Sequence, residues 1–590
     1  MNTKNIIKHI ISALFICSVT TALAQQPDNL NKEVQVTRAY DPIISDANKI
    51  DLQIAIDDSL TSVKKEFIYS VLSRGVASTY TIRPIPAATI IEQAYNDPHF
   101  FYMRLGAGYP LSPLADIYIN NYNSTNLSVG AFYNFRSIFG DIKNDNSKGY
   151  DIPIDEMSHN VGVFVKKRFK PLTLGAYANF NYHNVLFYGH DTGINHIMDY
   201  KPNKDSISQA YTAINGGFNL TSNNDDPDDF RYHLGVTYNS FSDNGKSKFD
   251  IGRMASMSEN TIGGELYLGK LFAEKHFFGL NTDFNYYNRK LSTPPNIIND
   301  PYDFTENRLR VVVLPYYKFS SDKFELLLGA KFDIAQENDT TKAYIRPHAK
   351  FTYYVANEFV PYVSIDGGRE INSYEKIARE NPYIYPGMNF RMKNSLHEYQ
   401  IKGGFKGNIQ KIVSYNLYAA YSLTKDMYFY KNTDNPIYSG SPLCLYNNFD
   451  VVYDEVQGLN AGLEIKAKFS TVEATLKADY YNYNLSELEA PYHRPDFTLK
   501  FDTDITIARY FILSARVYAQ SKSAYYHYNA QNKTLYNAGF FDIGFGAEYL
   551  FTRNFSVFVN ANNLLDEKYM IWNLYKVPGI HVEGGITFKF

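Results

Sequence analysis

Three histidines, His183, His190 and His196, lie close together in one polar region and are the residues best able to gather a metal ion. Imidazole ligands of zinc recur at short, regular spacings, and the intervals here, 183 to 190 to 196, match none of them. The expectation is surface histidines and no metal site. Phenols gather too: Tyr428, Tyr430, Tyr438, Tyr446 and Tyr453 fall in the stretch 428–457, which reads as a long loop. A tyrosine ring offers rigid apolar area with one polar end, so this stretch is the candidate ligand loop. The plain alternative is that a chain with 52 tyrosines clusters them by chance. Nucleophile elbow, metalloprotease helix and phosphate-cradling loop are all missing, so no catalytic residues, no cofactor and no enzyme are expected. The two cysteines are Cys17 and Cys444. If the first leaves with a targeting segment, the second makes neither a disulfide nor a metal site by itself. A net charge of -3 gives no nucleic-acid footprint.

The elements that must carry these residues announce themselves by a period of two. Over Val472–Tyr481, Val472, Ala474, Leu476, Ala478 and Tyr480 share one face; Glu473, Thr475, Lys477, Asp479 and Tyr481 share the other. Leu459–Phe469 and Phe497–Ile507 repeat the scheme, as do 172–182, 324–333 and 541–551. A soluble sandwich also alternates. These runs, however, reach ten or more residues, the length a tilted strand needs to cross a bilayer, whereas globular strands average roughly 5–6. Connections alternate as well. Tight links near 170–171, 273–275, 321–323, 356–358, 470–471, 508–509 and 552–554 separate polar stretches near 138–157, 189–207, 243–259, 292–307, 373–394, 428–457 and 526–539. Short turns at one end and long loops at the other are the mark of outer-membrane barrels.

Composition agrees. Aromatics make up 16% of the chain, with 41 Phe and one Trp, while mean hydropathy is -0.34. Two aromatic girdles at the headgroup levels account for such a mixture. After the N-terminus no apolar run is long enough for a membrane-spanning helix, so only a closed barrel satisfies the backbone in lipid. The expected fold is all-β: one transmembrane antiparallel barrel over 99–590 with roughly 22 strands, an even number as single-chain bacterial barrels require.

Residues 1–24 read as a cleaved signal peptide, with Lys4 and Lys8, an apolar run, and Ala22-Leu23-Ala24 before Gln25. Residues 25–98 lack periodicity and contain Asp41-Pro42 and Arg83-Pro84-Ile85-Pro86, so they form an N-terminal extension on the periplasmic or lumenal side. The faces expected to point inward mix Glu464, Lys466, Lys468, Glu473, Lys477, Asp479, Lys500, Asp502 and Asp504, a wet lumen without a single-sign ring.

The C-terminal residues carry a resemblance. Phe555–Asn562 leads into Asn563-Leu564-Leu565-Asp566-Glu567-Lys568-Tyr569, then Pro578-Gly579 and a final strand with Val582, Ile586, Phe588 and Phe590 on one face. This resembles the end of TonB-dependent receptors, with their N-L-x-D-x-x-Y turn, Pro-Gly pair and terminal G-x-x-F-x-F strand, although Ile580 stands where arginine is common. The terminal residues Val582, Ile586, Phe588 and Phe590 also resemble the signal by which barrels are recognised by the barrel-assembly machinery. The stretches 36–50 and 83–88 resemble plug-poor receptor-like proteins of Bacteroidota. Glu33-Val34-Gln35-Val36-Thr37 resembles a TonB box, which pairs with TonB by strand addition.

The resemblance implies a TonB-dependent receptor-like transporter or uptake component in the Gram-negative outer membrane, surrounded by outer-membrane lipid, with TonB or another periplasmic partner. Two rivals stand beside it: a structural or assembly scaffold of an outer-membrane complex, and a passive diffusion porin. The departure is the stretch 25–98, too short for the family's globular plug. A barrel this large must be occluded. Residues 25–98, inward-folding loops or a partner protein could do it, and the N-terminal segment is favoured because it enters the first strand from the periplasmic side.

Overall fold

Where apolar and polar residues alternate over ten or more positions, burying one face requires an extended chain, since a helix would scatter them around its axis. The computed structural model describes residues 99–590 apart from 122–125, 143–150, 190–203, 224–228, 244–247, 250–251, 254–255, 293–302, 338–339, 387–389, 433–447 and 528–532. Among them, 22 strands form one closed antiparallel sheet, each paired with its sequence neighbour in the barrel. Closure joins the first strand, Phe101–Tyr109, to the last, His581–Lys589, in register from Tyr102↔Lys589 to Tyr109↔Val582. Phe101 and Phe590 then exchange backbone hydrogen bonds of 2.9 and 3.0 Å, so the final residue takes part in closing the ring.

The two faces separate as the alternation requires. On Val472–Leu485, Tyr480 stands on the outside at 46% exposure, while Asp479 faces the lumen at 5%. Outward, Val161, Val163, Val165, Phe218, Val236 and Ile262 make an apolar belt. Toward the short-turn end, Phe169, Phe272, Phe359, Phe469 and Phe551 stand exposed as an aromatic girdle. Inward, charges pair: Lys477 reaches Glu464 at 3.6 Å and Asp479 at 3.7 Å, and Lys466 reaches Glu473 at 3.5 Å.

Every tight link expected from the sequence falls in a turn between strands, and a further one lies at 410–412. Three turns place two successive residues in the left-handed region: Ala273-Glu274, Gln410-Lys411 and Ala508-Arg509. That geometry matches the twist of the flanking strands and usually recruits Asn-Gly, so nothing in the residue types marked Gln410-Lys411 beforehand.

Strand boundaries correct the sequence reading most at 428–457. Two 20-residue strands, Val413–Asn432 and Phe449–Lys468, take in 428–432 and 449–457 at its two ends. The wall is low elsewhere: Phe540–Leu550, Phe555–Asn562, His581–Lys589, Phe101–Tyr109 and Leu114–Asn120 have 11, 8, 9, 9 and 7 residues.

One ladder is incomplete. Thr340–Tyr353 pairs along its whole length with Phe324–Glu337, and Val360–Glu370 pairs with Ser395–Lys406. Between those two strands only Ala349–Thr352 and Tyr362–Ile365 are in register. The split begins where Asp366 and Gly368 flank an irregularity, with Gly368 at a φ of 142° that side chains rarely adopt.

Candidate functional site: a lumen closed by inward loops

Two long loops, 371–394 and 563–580, turn into the barrel instead of standing above it. Asn372 fixes the base of the first, its side-chain amide donating to the Lys393 carbonyl and Ser395 Oγ, both at 2.9 Å. Ser373 caps the helix Tyr374–Glu380 by accepting from the Lys376 N–H at 3.1 Å. A seven-residue helix has no stability by itself. It is held by the wall: the Tyr374 N–H donates to the Glu259 carboxylate at 3.2 Å, and its hydroxyl donates to Asp243. Glu259 is in turn paired with buried Arg289 at 2.7 Å. Asn239 Nδ2 donates to Glu375 at 2.6 Å.

The second loop explains the motif at the C-terminus. Asn563 Nδ2 donates to the carbonyls of Glu567 at 2.8 Å and Pro578 at 3.0 Å, binding the two ends of the loop together. Asp566 Oδ1 accepts from the Ile580 N–H at 3.1 Å. A Cβ on Gly579 would meet that same carboxylate oxygen at 2.0 Å, so the residue after Pro578 must be glycine. Tyr569 lies flat on Phe540 at 3.6 Å and donates to Asp542 at 2.7 Å. Motif residues therefore brace a loop whose tip, 570–577, dives into the mouth.

The tips meet in the largest apolar cluster of the described residues. Tyr575 stacks on Tyr383 with ring centroids 3.5 Å apart and planes at 16°. Trp572 is wedged among Tyr430, His493 and Phe449, with centroids at 4.9, 5.3 and 5.6 Å. The cluster runs from Tyr211, Phe241, Met257 and Leu291 on one part of the wall to Tyr430, Phe449 and Phe540 on another, so it spans the lumen. Each buried ring removes roughly 150–250 Å² from water, worth about 4–6 kcal/mol at roughly 25 cal/mol per Å².

A third loop, 486–496, supplies the polar lock. Arg494 pairs with Glu380 at 2.5 Å, and both are nearly inaccessible. The hydroxyls of Tyr428 and Tyr430 also donate to Glu380, at 2.5 and 3.0 Å. Burial, opposed by Glu380 and the surrounding phenols, leaves the Arg494 guanidinium held firmly in its charged form. His493 donates through Nδ1 to the Tyr430 carbonyl at 2.8 Å, while Nε2 accepts from the Asn573 N–H at 3.3 Å. Those two backbone partners suit only the neutral ring. Burial pushes its pKa down to about 4, with adjacent Arg494 acting in the same direction.

The residues singled out by sequence fall as follows. Tyr428 and Tyr430 lie on a wall strand, buried against Glu380, and the Tyr453 hydroxyl accepts from the Lys393 N–H at 2.9 Å. All three touch the inward loop 371–394. His183 sits on Leu172–Leu186, with Nε2 3.0 Å from Glu156 Oε1. Val582, Ile586, Phe588 and Phe590 all face outward and exposed. Outside the described residues lie the signal peptide, the extension 25–98 with Glu33–Thr37, and Tyr438, Tyr446, His190, His196, Cys17 and Cys444. Among the described residues no group of three or more His, Cys, Asp or Glu could hold a metal ion. The favoured occluder thus lies outside the described residues, whereas inward-folding loops, also considered, are what fill the mouth. Sequence reasoning missed His493, Arg494, Glu380, Tyr383 and Tyr575. For Trp572, its being the only tryptophan was the one available signal.

The same barrel architecture occurs in solved structures of outer-membrane receptors. Solved structures of that kind match over most of the chain. The ferric-catecholate import receptor Fiu of E. coli K12 aligns with a TM-score of 0.63 at 8% identity, over 84% of this chain and 82% of that one. The iron transporter FrpB of Neisseria meningitidis gives 0.61 at 11%, over 84% and 82%. The pyoverdine outer-membrane receptor FpvA of Pseudomonas aeruginosa PAO1 gives 0.61 at 12%, over 84% and 79%. At these identities the likeness is one of fold. No protein-family model matches the chain, and no curated protein matches its sequence.

Proposed function

We propose that this chain is an outer-membrane, TonB-dependent receptor-like transporter or uptake component, exported through a cleaved signal peptide, whose conduit opens only on demand. The observation that carries the reading is the aromatic cap joined by Tyr383 and Tyr575 and locked by Glu380 and Arg494. Opening would return buried rings such as Tyr575 and Trp572 to water, at about 4–6 kcal/mol for a single ring at roughly 25 cal/mol per Å², so roughly one molecule in a thousand or fewer would stand open unaided. This weighs against a passive diffusion porin and favours a partner that supplies work. Glu33–Thr37 is the segment proposed to receive TonB by strand addition. Residues 25–98 serve as a reduced plug or as a partner-binding segment. The described tyrosines of the candidate ligand loop, Tyr428, Tyr430 and Tyr453, contribute by holding the loop that a substrate must displace.

Pull-down with TonB from detergent-solubilised outer membranes tests the reading. Retention that disappears on replacing Val34-Gln35-Val36 supports it. No retention by the unaltered chain favours the scaffold role, for which a permanently capped barrel is equally suited.

A further inference from the structure

One transverse row of the wall brings three donor side chains together on adjacent strands. Lys350 of Thr340–Tyr353 pairs with Ser364 of Val360–Glu370, and Ser364 pairs in turn with Lys402 of Ser395–Ile409. Their neighbours Phe351, Val363 and Ile401 stand exposed on the outer surface, so all three residues point into the lumen. Strands lie about 4.8 Å apart, which sets the two lysine backbones about 10 Å from each other with a serine between them. The row stands below the cap. Val360–Glu370 rises from a tight link to the base of the inward loop 371–394, and Ser364 belongs to its lower half.

Local packing holds the row in place. Lys402 is 7% exposed, its stem laid along Tyr418 with the ammonium 3.6 Å from the ring centroid. Tyr418 can lie against the wall because position 462 is glycine, where a Cβ would lie 2.4 Å from its Cζ; its hydroxyl donates to Asp479 at 2.9 Å. Positive charge is in excess here. Among the described residues, neither Lys350 nor Lys402 has a carboxylate within ion-pairing distance. Carboxylates on the same part of the wall are engaged by other groups: Glu464 and Asp479 by Lys477 at 3.6 and 3.7 Å, and Asp366 by Lys331 at 2.8 Å and His348 at 3.1 Å. Two ammonium groups on one wall repel each other, and charge-assisted bonds to a shared oxyanion would satisfy both.

We infer that Lys350, Ser364 and Lys402 form a station for a small oxyanion-bearing solute, held after it has passed the cap. The cargo therefore carries a phosphate or carboxylate group. The station rests on the transport reading, since a solute arriving over the rim reaches it only through an opened cap.

Affinity labelling with pyridoxal 5′-phosphate tests the station, on the purified full-length barrel carrying Tyr575→Ala to loosen the cap. A phosphate held by one lysine presents the aldehyde to the other. The amine adds with loss of water, and borohydride reduces the imine to a stable secondary amine that peptide mapping locates. Lys350 and Lys402 are expected to be modified about tenfold faster than Lys466 and Lys468, which stand beside Glu473, through the higher effective concentration of a tethered aldehyde. Inorganic phosphate should abolish the difference, and chloride at equal ionic strength should not. Adding Lys350→Met should slow modification of Lys402, a coupling that two separately solvated lysines lack. Equal or absent modification at all four lysines, protection by chloride as strong as by phosphate, or a Lys402 rate indifferent to Lys350→Met would each overturn the inference. The labelling involves neither TonB nor a natural substrate. Its failure strikes the station alone, whereas failed retention of TonB strikes the transport reading.

Discussion

Tyr383 and Tyr575, one from each inward loop, lie face to face with their ring centroids 3.5 Å apart. Neither belongs to a wall strand, so their contact joins the loops to each other and not to the barrel. Truncating one ring should therefore loosen the cap and leave the wall intact. Tyr575→Ala is expected to weaken the cap by about 3–5 kcal/mol, the usual cost of deleting a buried aromatic. Cells carrying it should become sensitive to vancomycin while the purified barrel keeps its heat-modifiable mobility. Unchanged exclusion of the antibiotic would show that the stack is no barrier.

The Glu380–Arg494 pair predicts an asymmetry between single and double variants. Arg494→Met leaves Glu380 buried without its cation, which should cost about 3–5 kcal/mol. Pairing it with Glu380→Gln should recover much of the loss, because no uncompensated charge then remains. Limited proteolysis within 371–394 on intact barrels reads this out. Equal cleavage in the single and double variants would contradict the role of the pair.

His493 makes the cap sensitive to acid. Its pKa falls to about 4 in the folded chain through burial, against about 6.5 unfolded. The unfolded or opened state therefore binds the proton more readily. Stability from the neutral ring is fully present above about pH 6.5 and is lost as pH drops toward 4, on the order of 3 kcal/mol in all. Trp572, the only tryptophan, lies 5.3 Å from that ring and reports directly. Its emission should shift to the red as pH falls through this window. A His493→Gln variant should show a flat profile, and a shift that persists in it would assign the acid response elsewhere.

Removing Phe590 deletes the two backbone bonds that it exchanges with Phe101 and an outward ring of the terminal strand. Assembled, heat-modifiable barrel in outer-membrane fractions should fall severalfold, while Phe590→Tyr should assemble normally. Normal yield from the truncated chain would refute a part for this residue in assembly.

Alternation made the wall legible. In a barrel the period of two is imposed by the lipid on one side and water on the other, and local sequence records it directly. The cap was barely legible. Its contacts tie residues far apart in the chain, such as Tyr188 to Tyr575 and Arg494 to Glu380. The tyrosines of 428–457 stood out as a cluster, yet an exposed recognition phenol and a buried one have the same letter. Asn563, Asp566 and Gly579 were visible as a motif, and the bonds that give the motif its purpose appeared only in three dimensions. The split beside Gly368 left a trace in the glycine pair 367–368, which alone does not separate a broken ladder from a bulge.

The uneven wall has a bearing on how anything large reaches the mouth. A 20-residue strand measures about 66 Å along its length and a seven-residue strand about 23 Å. The rim is therefore a parapet with a notch, lowest from Phe540–Leu550 round to Leu114–Asn120. The inward loop 563–580 hangs from that notch, so a visitor arriving over the low side meets the hinge of the cap before it meets the opposite rampart.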